Sequence, residues 1–414
     1  MIAEDYLSRS YLFRRLRCGP DKQLVELYAA CLVEDGFSRR TMWRSLNLFG
    51  SLMDWIASIG LKLSDLDERM VAQYLRYRRG KQSVRHGDQA AVRRLLSVLR
   101  RAGTVAAAAA LPPLTSHEQI VEAFSHYLRN ERGLAPKSIV CRLHIIRRFL
   151  REVCSAGAGD LGRIRQEDVT RYVERHARDW SATSGKAMCC FLRTFLRYLH
   201  HMGLNPLALA SCVPSVRGWK LSSLPTYLSP LQVRKVLDSC EQATAMGRRD
   251  YAILMMLAKL GMRAGEVATL TLDDIDWRSS EMLVRAKGRE RVRMPIPPDV
   301  GAAVVAYLRH GRRKSSCRRL FLRTQAPHVG FACSGAITMI ARAALARAGI
   351  RGYARQGAHI FRHSLASELL RSGATLSEIG QLLRHESHDT TRIYAKVDIE
   401  TLRTLSLPWP GGAQ

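Results

Sequence analysis

Side chains that could perform nucleophilic chemistry on an anionic substrate fall into four clusters in the C-terminal part of the chain. The clusters contain, in chain order, Arg263 with Glu266, Lys287, His359 with Arg362, and His385 with Tyr394. Arginine forks bind phosphate oxygens in pairs, a tyrosine hydroxyl can become a covalent nucleophile, and histidine or lysine can transfer protons. His359 and Arg362 would share one face of a helix, because residues three apart are neighbours there. Each cluster alone is a weak signal, so the four have to be weighed together.

The charge of the chain points to a polyanionic partner. The 414 residues include 65 Lys and Arg against 36 Asp and Glu, a net charge of +29. A surplus of this size is typical of proteins that bind nucleic acid. A membrane surface is the competing polyanion, but the sequence has no apolar run of about 18 residues, and its arginine-rich first 20 residues lack the apolar core of a secretory signal. We expect a soluble intracellular protein without membrane attachment.

Metal and nucleotide chemistry are not predicted. No two of the ten cysteines have C-x-x-C spacing, so reduced, buried thiols are expected rather than a zinc site. The carboxylates do not form a spaced two-metal set, and no G-x-x-x-x-G-K-[ST] loop occurs. The expectation is therefore no metal and no cofactor.

Two proline-containing breaks divide the chain into three segments. A helix is predicted from Ser116, with Gln119 placed for a capping box, and Ser229 is predicted to cap a helix whose first residue is Pro230. The predicted organisation is an N-terminal tail (1–20), an extra helical domain (21–103), a linker (104–115), a second helical domain (116–213), a linker (214–228), and a C-terminal domain with a short tail (229–414).

The first two helical segments look like copies of each other. The six residues from Gly36 match the six from Gly133, and Leu96, Leu99 and Gly103 match Leu196, Leu199 and Gly203. Apolar residues recur at helical spacing through both segments, so each predicts a bundle of four or five helices. Helical periodicity alone could produce part of this similarity, but the ordered series of matches favours duplication.

The third segment mixes two periods. Helical patterns cover residues 229–240 and 249–260, and they return from about Ser334. Between them, two short apolar runs flank a polar turn at Lys287-Gly288, which is a strand–turn–strand pattern. The predicted fold class is mainly α: N-terminal helical bundles followed by a mostly α C-terminal domain with a small antiparallel sheet.

The four clusters, taken in order, resemble the tyrosine recombinase, or phage integrase, family. The run HIFRHSLASELLRSGATLSEIGQLLRHESHDTTRIYAKV is similar to the family's second box almost throughout, and GMRAGEVATLTLDDID is similar to its first. The resemblance covers roughly residues 116–410 and implies the tyrosine recombinase fold. Position by position, it implies that Tyr394 is the nucleophile, that Arg263 and Arg362 bind the phosphate with His359, His385 and Lys287 beside them, and that Glu266 supports the site.

The chemistry of DNA cleavage explains these residue types. Attack by Tyr394 conserves the energy of the DNA link in a phosphotyrosine, so ATP is not needed. Arg263 and Arg362 would stabilise charge on the non-bridging oxygens. Lys287 is the candidate acid for the leaving 5′ oxygen, and His359 is the candidate acceptor of the tyrosine proton. His385 would donate a hydrogen bond to a phosphate oxygen.

The resemblance implies a site-specific recombinase or integrase of a mobile element, acting through a 3′-phosphotyrosine and a Holliday junction. Its partners would be duplex recombination sites and three further copies of itself in a synaptic homo-tetramer, with a monomer or weak oligomer off DNA. The expected location is the bacterial cytoplasm, with the nucleoid. Two alternatives remain: a type IB topoisomerase-like or telomere-resolving enzyme, and a non-catalytic DNA-binding protein. The target sequence, cis or trans cleavage, and a need for accessory proteins stay open.

Candidate phosphate contacts lie in both helical segments. In residues 116–213, which resemble the family's core-binding domain, they are Lys137, Arg142, Arg147, Arg148, Lys186 and Arg193. In residues 21–103 they include Arg39, Arg40 and Arg44. This extra segment departs from the family pattern. It is predicted either to bind DNA or to hold protomers together.

Overall fold

The computed structural model describes residues 22–81, 87–107, 115–154, 161–216, 226–285, 291–353, 357–385 and 387–397. This part of the chain is mainly helical with one three-stranded antiparallel sheet, which confirms the predicted fold class. The predicted turn at Lys287-Gly288 and both predicted tails lie outside the described residues. By its contacts, the chain divides into two compact units, residues 1–109 with 224–414 and residues 110–223.

The N-terminal bundle belongs to the first unit. Its helices are α1 (Lys22–Glu34), α2 (Arg39–Ser58), α3 (Glu68–Lys81) and α4 (Asp88–Arg101), with a 3-10 turn at Leu63–Asp65 between α2 and α3. Apolar residues three and four apart place one face of each helix inside, where Tyr28, Phe49 and Tyr74 are almost fully buried. The bundle therefore has a hydrophobic core of its own.

The second unit repeats this order of elements. It contains α5 (Ser116–Asn130), α6 (Pro136–Val153), a 3-10 turn (Leu161–Arg163), α7 (Gln166–Ala177), α8 (Ala182–His201) and a further 3-10 turn (Leu209–Cys212). Its core includes an edge-to-face pair, Phe124 and Phe195, with ring centroids 5.1 Å apart. The start of α5 corrects one prediction. Thr115 caps the helix, and its backbone N–H donates to the Glu118 carboxylate at 3.1 Å.

The physical reason for this corrected cap lies in the acceptor. Thr115 with Glu118 and Ser116 with Gln119 both have the spacing of a capping box. A glutamate carboxylate is the stronger acceptor, because a hydrogen bond to a charged group is about twice as strong as a neutral one. Negative charge at a helix N-terminus also interacts favourably with the helix dipole. The helix therefore starts at Ser116 as predicted, but its cap lies one residue earlier.

The two bundles agree in detail as well as in order. Leu63 and Leu161 begin the 3-10 turns and are buried, as are Tyr74 and Tyr172 one helix later. The helices α4 and α8 end in the same turn, in which Gly103 and Gly203 have φ of +71° and +66° and each backbone N–H donates across 3.1 Å to a carbonyl three residues earlier. A left-handed residue is needed at these positions, which explains the glycines.

The C-terminal part of the first unit carries the sheet. Its first helices are α9 (Pro230–Asp238), α10 (Ala245–Lys259) and α11 (Ala264–Thr269), followed by β1 (Ile275–Asp276), β2 (Glu281–Arg285) and β3 (Arg291–Pro295). Its later helices are α12 (Pro298–His310), α13 (Ser334–Arg347), α14 (Ala358–Arg371), α15 (Leu376–Leu383) and α16 (His388–Thr391). One 3-10 turn (Leu272–Asp274) lies between α11 and β1, and another (Arg392–Val397) follows α16. The sheet order is β1-β2-β3, and Met282 pairs with Met294 across β2 and β3.

Two predictions for this region are confirmed, and two helices were missed. Ser229 caps α9 and shares a capping box with Gln232, and the strand–turn–strand pattern forms β2 and β3. Neither α11 nor α12 was predicted, because helical patterns were expected to return only at Ser334. The first residue of α12 is Pro298, which is well placed there because an N–H in the first turn would have no partner within the helix.

The N-terminal bundle contacts the C-terminal part of its own unit at one loop. The backbone N–H of His328 donates to the carbonyl of Asp35 at 3.3 Å. Gly36 has φ of +77°, and a Cβ there would lie 2.4 Å from the His328 ring. Gly133 occupies the matching turn of the second unit, and a Cβ there would have no atom of the described residues within 4 Å. The close approach is thus a feature of the first bundle.

Among the described helices, none is both long enough and apolar enough to span a bilayer.

Candidate active site

Arg263 lies at the start of α11, where the chain turns from an extended residue into the helix. Its backbone N–H and its Nη1 each donate to the Glu266 carboxylate at 2.8 Å. Its Nη2 donates to the carbonyl of Arg384 at 3.0 Å. Burial alone would raise the pKa of the Glu266 carboxyl, but the charges of Arg384 and Arg263 and the hydrogen bonds from Arg263 lower it. Glu266 is therefore ionised and holds the Arg263 guanidinium in place. Its role as a supporting residue of the site stays a prediction.

Arg362 projects from α14 into the interior and is only 4% exposed. Its Nη1 donates to the carbonyl of Gly261 at 2.6 Å, and its Nη2 donates to the carbonyl of Leu383. Burial, followed by the charges of Arg263 and Arg384, lowers the pKa of the Arg362 guanidinium to about 10. The group remains a cation at neutral pH, and two carbonyls from different elements fix its orientation.

Tyr394 lies in the 3-10 turn that follows α16 and is 1% exposed. Its hydroxyl is 2.9 Å from Nδ1 of His363. Burial raises the pKa of this hydroxyl to about 12, and the charges of Arg362 and Arg263 partly counteract the rise. The two arginines predicted to bind phosphate therefore act electrostatically on the predicted nucleophile, although the three residues are up to 131 positions apart in the sequence.

His385 follows α15 and faces Tyr394. The two rings are nearly parallel, with centroids 6.4 Å apart, and His385 Nδ1 is 2.8 Å from the hydroxyl of Thr391. Burial, followed by the charges of Arg362 and Arg263, lowers the pKa of His385 to about 4. The imidazole is therefore neutral at pH 7. When its Nδ1 accepts from Thr391, its proton is on Nε2, where it can donate.

Two further residues of the site were missed from the sequence. His363, next to Arg362, is the partner of the Tyr394 hydroxyl. Arg384, whose side chain is 5% exposed, donates to Glu266 at 2.9 Å. Both lie beside predicted residues, so inspecting the neighbours of each motif position would have flagged them. Their contacts depend on the backbone turns at these positions, which spacing alone does not give.

The remaining predicted catalytic residues are placed as follows. His359 lies in the first turn of α14 and is exposed, on the same helix as Arg362 and His363. Its role as acceptor of the tyrosine proton stays a prediction, since it is His363 that the structure brings to the hydroxyl. Lys287 lies outside the described residues. Among the described side chains, no group of three or more His, Cys, Asp or Glu could hold a metal ion.

The predicted DNA contacts differ in how far their side chains are exposed. Lys137, Arg147, Lys186, Arg39 and Arg40 are exposed, and Arg44 is half-buried. Arg193 donates to the carbonyls of Val213 and Pro214, both at 3.0 Å. Arg148 bonds Glu152 and His176, and Arg142 donates to the carbonyl of Ser138 and lies over the Phe191 ring. The last three arginines thus have intramolecular roles within the second unit.

Comparison with known proteins shows the family to which the chain belongs. Residues 226–401 match the phage integrase family, and residues 121–203 match the phage integrase N-terminal SAM-like domain. The putative integrase/recombinase y4rA of Sinorhizobium fredii is 37% identical over 99% of both chains. The tyrosine recombinase XerC of Oceanobacillus iheyensis is 27% identical over 69% of this chain and 94% of its own.

Solved structures with the same fold include XerH recombinase bound to its difH substrate in a post-cleavage complex, with a TM-score of 0.57 and 18% identity over 83% of this chain and 97% of that one. A lambda integrase dimer bound to a COC′ core site has a TM-score of 0.50 and 14% identity, over 67% of this chain and 94% of the other. The family matches, the full-length relative and the fold agree with one another. The chain belongs to the phage integrase family of tyrosine recombinases and is a site-specific DNA recombinase.

Proposed function

We propose that this recombinase cleaves each DNA strand by attack of the Tyr394 hydroxyl on a phosphodiester. The new O–P bond forms a 3′-phosphotyrosine, and the bond to the 5′ oxygen breaks. The observation that carries the proposal is the convergence of Tyr394, Arg362, Arg263 and His385 in one site, in which Tyr394 and Arg362 are buried and the hydroxyl is bonded to His363. The energy of the DNA link is conserved, so the reverse attack by a 5′-OH restores a phosphodiester.

The two arginines supply the positive charge for the transition state. Each guanidinium is held by bonds within the protein, Arg263 by Glu266 and Arg362 by the carbonyl of Gly261. Donors already fixed in place need no reorganisation when charge develops on the non-bridging oxygens, which makes electrostatic stabilisation effective in a buried site. The neutral His385 would donate from Nε2 to one of the same oxygens.

The proton of Tyr394 needs an acceptor, because a hydroxyl with a pKa near 12 is protonated at neutral pH. His363 Nδ1 is already at hydrogen-bonding distance, and we assign it this task in preference to His359. The leaving 5′ oxygen needs a proton in return, and Lys287 keeps its proposed role as the acid. Proton transfer of this kind contributes about 10²–10⁴-fold to rate.

Recombination would run in two rounds of this chemistry. A free 5′-OH from a partner duplex attacks the phosphotyrosine, which gives a Holliday junction, and the second pair of strands resolves it. Four strands are cut, so four active sites in a homo-tetramer on two duplexes are required. The solved complex of XerH with its difH substrate supports duplex DNA as the partner. The full-length relative named as an integrase supports a role in a mobile element.

The first test is a suicide-substrate assay in EDTA. The full chain is mixed with nicked duplex carrying the terminal sequence of its element, and an adduct that resists SDS is sought. We expect an adduct with the wild type and none with Tyr394→Phe, which keeps the buried ring. Strand exchange between two marked duplexes then distinguishes a recombinase from a relaxing topoisomerase. Failure of the wild type to form an adduct on DNA that it binds would refute the proposed cleavage.

The N-terminal bundle is proposed to bind a second stretch of DNA. Its exposed Arg39 and Arg40 begin α2, at the place where Pro136 and Lys137 begin α6 of the second unit. Each cation that neutralises a phosphate releases counterions from the DNA. The slope of log K against log salt therefore becomes shallower by about 0.9 for each phosphate that a variant no longer neutralises.

The test for this second DNA-binding surface is a salt-dependent gel shift. Replacing Arg39, Arg40 and Arg44 by Ala should weaken binding and reduce the salt slope by about 2–3. The matched control is Arg100→Ala, whose arginine pairs with Glu68 in the same bundle. An unchanged slope in the triple variant would leave protomer association as the role of this bundle.

A further inference from the structure

Arg384 combines two features that cost free energy. It ends α15 with φ of 55° and ψ of 54°, the left-handed region that a residue with a Cβ rarely occupies. Its side chain is 5% exposed, and its Nε has no hydrogen-bond partner among the described residues. A strained backbone and an unsatisfied buried N–H persist only where the surroundings hold them in place, and such residues cluster at functional sites. What the arrangement provides is visible at Arg263.

The left-handed backbone aims the Arg384 carbonyl at Arg263, whose Nη2 donates to it at 3.0 Å. The Arg384 side chain returns to the same place by another route, since its Nη2 donates to Glu266 at 2.9 Å. Glu266 in turn accepts from Nη1 of Arg263 at 2.8 Å. One residue therefore restrains the Arg263 guanidinium twice, directly by its backbone and through Glu266 by its side chain.

The charges have a consequence for substrate binding. A single carboxylate, that of Glu266, lies between the two guanidinium groups of Arg263 and Arg384. The three groups together carry one net positive charge. Without the cation of Arg384, Arg263 and Glu266 would form a neutral pair, and their attraction for a phosphate would weaken. Arg384 also contacts the sulfur of Met294 on β3, which links the sheet to this cluster.

We propose that Arg384 is a positioning residue for DNA cleavage, which fixes Arg263 and shares Glu266 so that the charge of Arg263 remains available to the scissile phosphate. The proposal rests on the proposed function, because it takes Arg263 to be a phosphate ligand. The side chain of Arg384 is only 5% exposed, so the proposed role does not require it to touch the DNA.

The test compares two suicide substrates in single turnover with the full chain. One has a normal scissile phosphate, and the other has a methylphosphonate, in which a methyl group replaces one charged oxygen. Arg384→Gln should slow adduct formation on the phosphate by about 10- to 100-fold, below the 10²–10³ expected for loss of a direct transition-state donor. The loss on the neutral methylphosphonate should be several-fold smaller, because less negative charge has to be stabilised.

Further variants protect this test against a folding defect. Arg384→Gly keeps the left-handed turn and removes the side chain, and it should show the same selective loss. Arg384→Lys keeps a cation and should recover part of the phosphate rate. Arg249→Gln breaks another buried ion pair of the same unit, with Asp250, and any loss it causes should be equal on the two substrates.

Two outcomes would overturn the proposal. One is an unchanged rate in both Arg384→Gln and Arg384→Gly, and the other is an equal loss on both substrates, which would mean a structural role only. Failure of the proposed function would look different, since the wild type itself would then form no adduct on the phosphate substrate.

Discussion

At the scale of single residues, the bond between Tyr394 and His363 makes the sharpest prediction. Replacing His363 by Phe removes the group at 2.9 Å from the hydroxyl while keeping a ring in its place. Because burial raises the pKa of the hydroxyl to about 12, loss of the acceptor should slow adduct formation by about 10²–10⁴-fold. The remaining rate should rise with pH up to the highest pH at which the protein stays folded, as hydroxide takes over. The measurement is single-turnover adduct formation between pH 6 and 10.

A paired variant distinguishes His363 from His359. His359→Phe alters the exposed histidine one turn earlier on the same helix. If His363 is the acceptor, the rate of adduct formation rises with pH in His363→Phe, and the pH dependence of His359→Phe stays like that of the wild type. The opposite result would restore the assignment made from the sequence.

His385 predicts a pH dependence of stability. Its folded-state pKa of about 4 lies below the ordinary 6.5 because burial and Arg362 disfavour the charged ring. Between these values the unfolded chain binds the proton and the folded chain does not, so the free energy of unfolding falls as pH drops from 6.5 to 4. The contribution is up to about 3 kcal/mol, less with solvent screening. Urea unfolding at pH 7 and 4.5 should show a smaller pH difference for His385→Gln than for the wild type. Equal differences would contradict it.

These same residues show how much of the site could be predicted from the sequence. The sequence predicted four site residues, because their types and their order along the chain resemble the family's motifs. They are Arg263, Arg362, His385 and Tyr394. His363 and Arg384 were not predicted, although each is adjacent to a predicted residue. The role of Arg384 depends on a left-handed turn, which cannot be predicted from the sequence when the residue is not a glycine. The choice between His359 and His363 depends on where the turn after α16 places the Tyr394 hydroxyl.

At the scale of elements, helix α15 runs from a capping box to the active site. It begins at the capping box of Thr375 and Glu378 and ends beside His385. Thr375→Ala should lower the free energy of unfolding by about 1 kcal/mol, and Thr375→Ser should not. Thr115→Ala removes the equivalent cap of α5 in the other unit and should cost a similar amount. We expect only the α15 variant to slow adduct formation as well. Equal effects of both alanine variants on the adduct rate would argue against this link.

The first residues of helices were predicted better than the complete set of helices and strands. Pro230 and Ser334 begin helices as expected, because caps and first-turn prolines are local signals. Helices α11 and α12 were missed, and the α5 cap was one residue off. Strand β1 is only two residues long and exists through its pairing with β2, which is a tertiary contact that no local pattern encodes.

At the scale of the whole molecule, the chain carries two helical bundles with one order of elements but different surroundings. The turn at Gly36 contacts the loop at His328, whereas a Cβ added at Gly133 in the matching turn would meet no atom of the described residues within 4 Å. A gene duplication followed by docking of one copy on the C-terminal part of its unit would give this pattern. The glycine at each turn is explained by its positive φ, but only Gly36 has a second reason to lack a side chain.

This difference makes a matched pair of substitutions informative. Gly133→Ala should cost about 1–2 kcal/mol, the penalty of a left-handed alanine. Gly36→Ala should cost more, because its Cβ would also lie 2.4 Å from the His328 ring. Removing that ring in Gly36→Ala/His328→Ala should restore part of the loss, which a double-mutant cycle by urea unfolding would measure. A coupling energy near zero, with equal costs at Gly36 and Gly133, would mean that the contact between this turn and His328 does not contribute to the stability of the protein in solution.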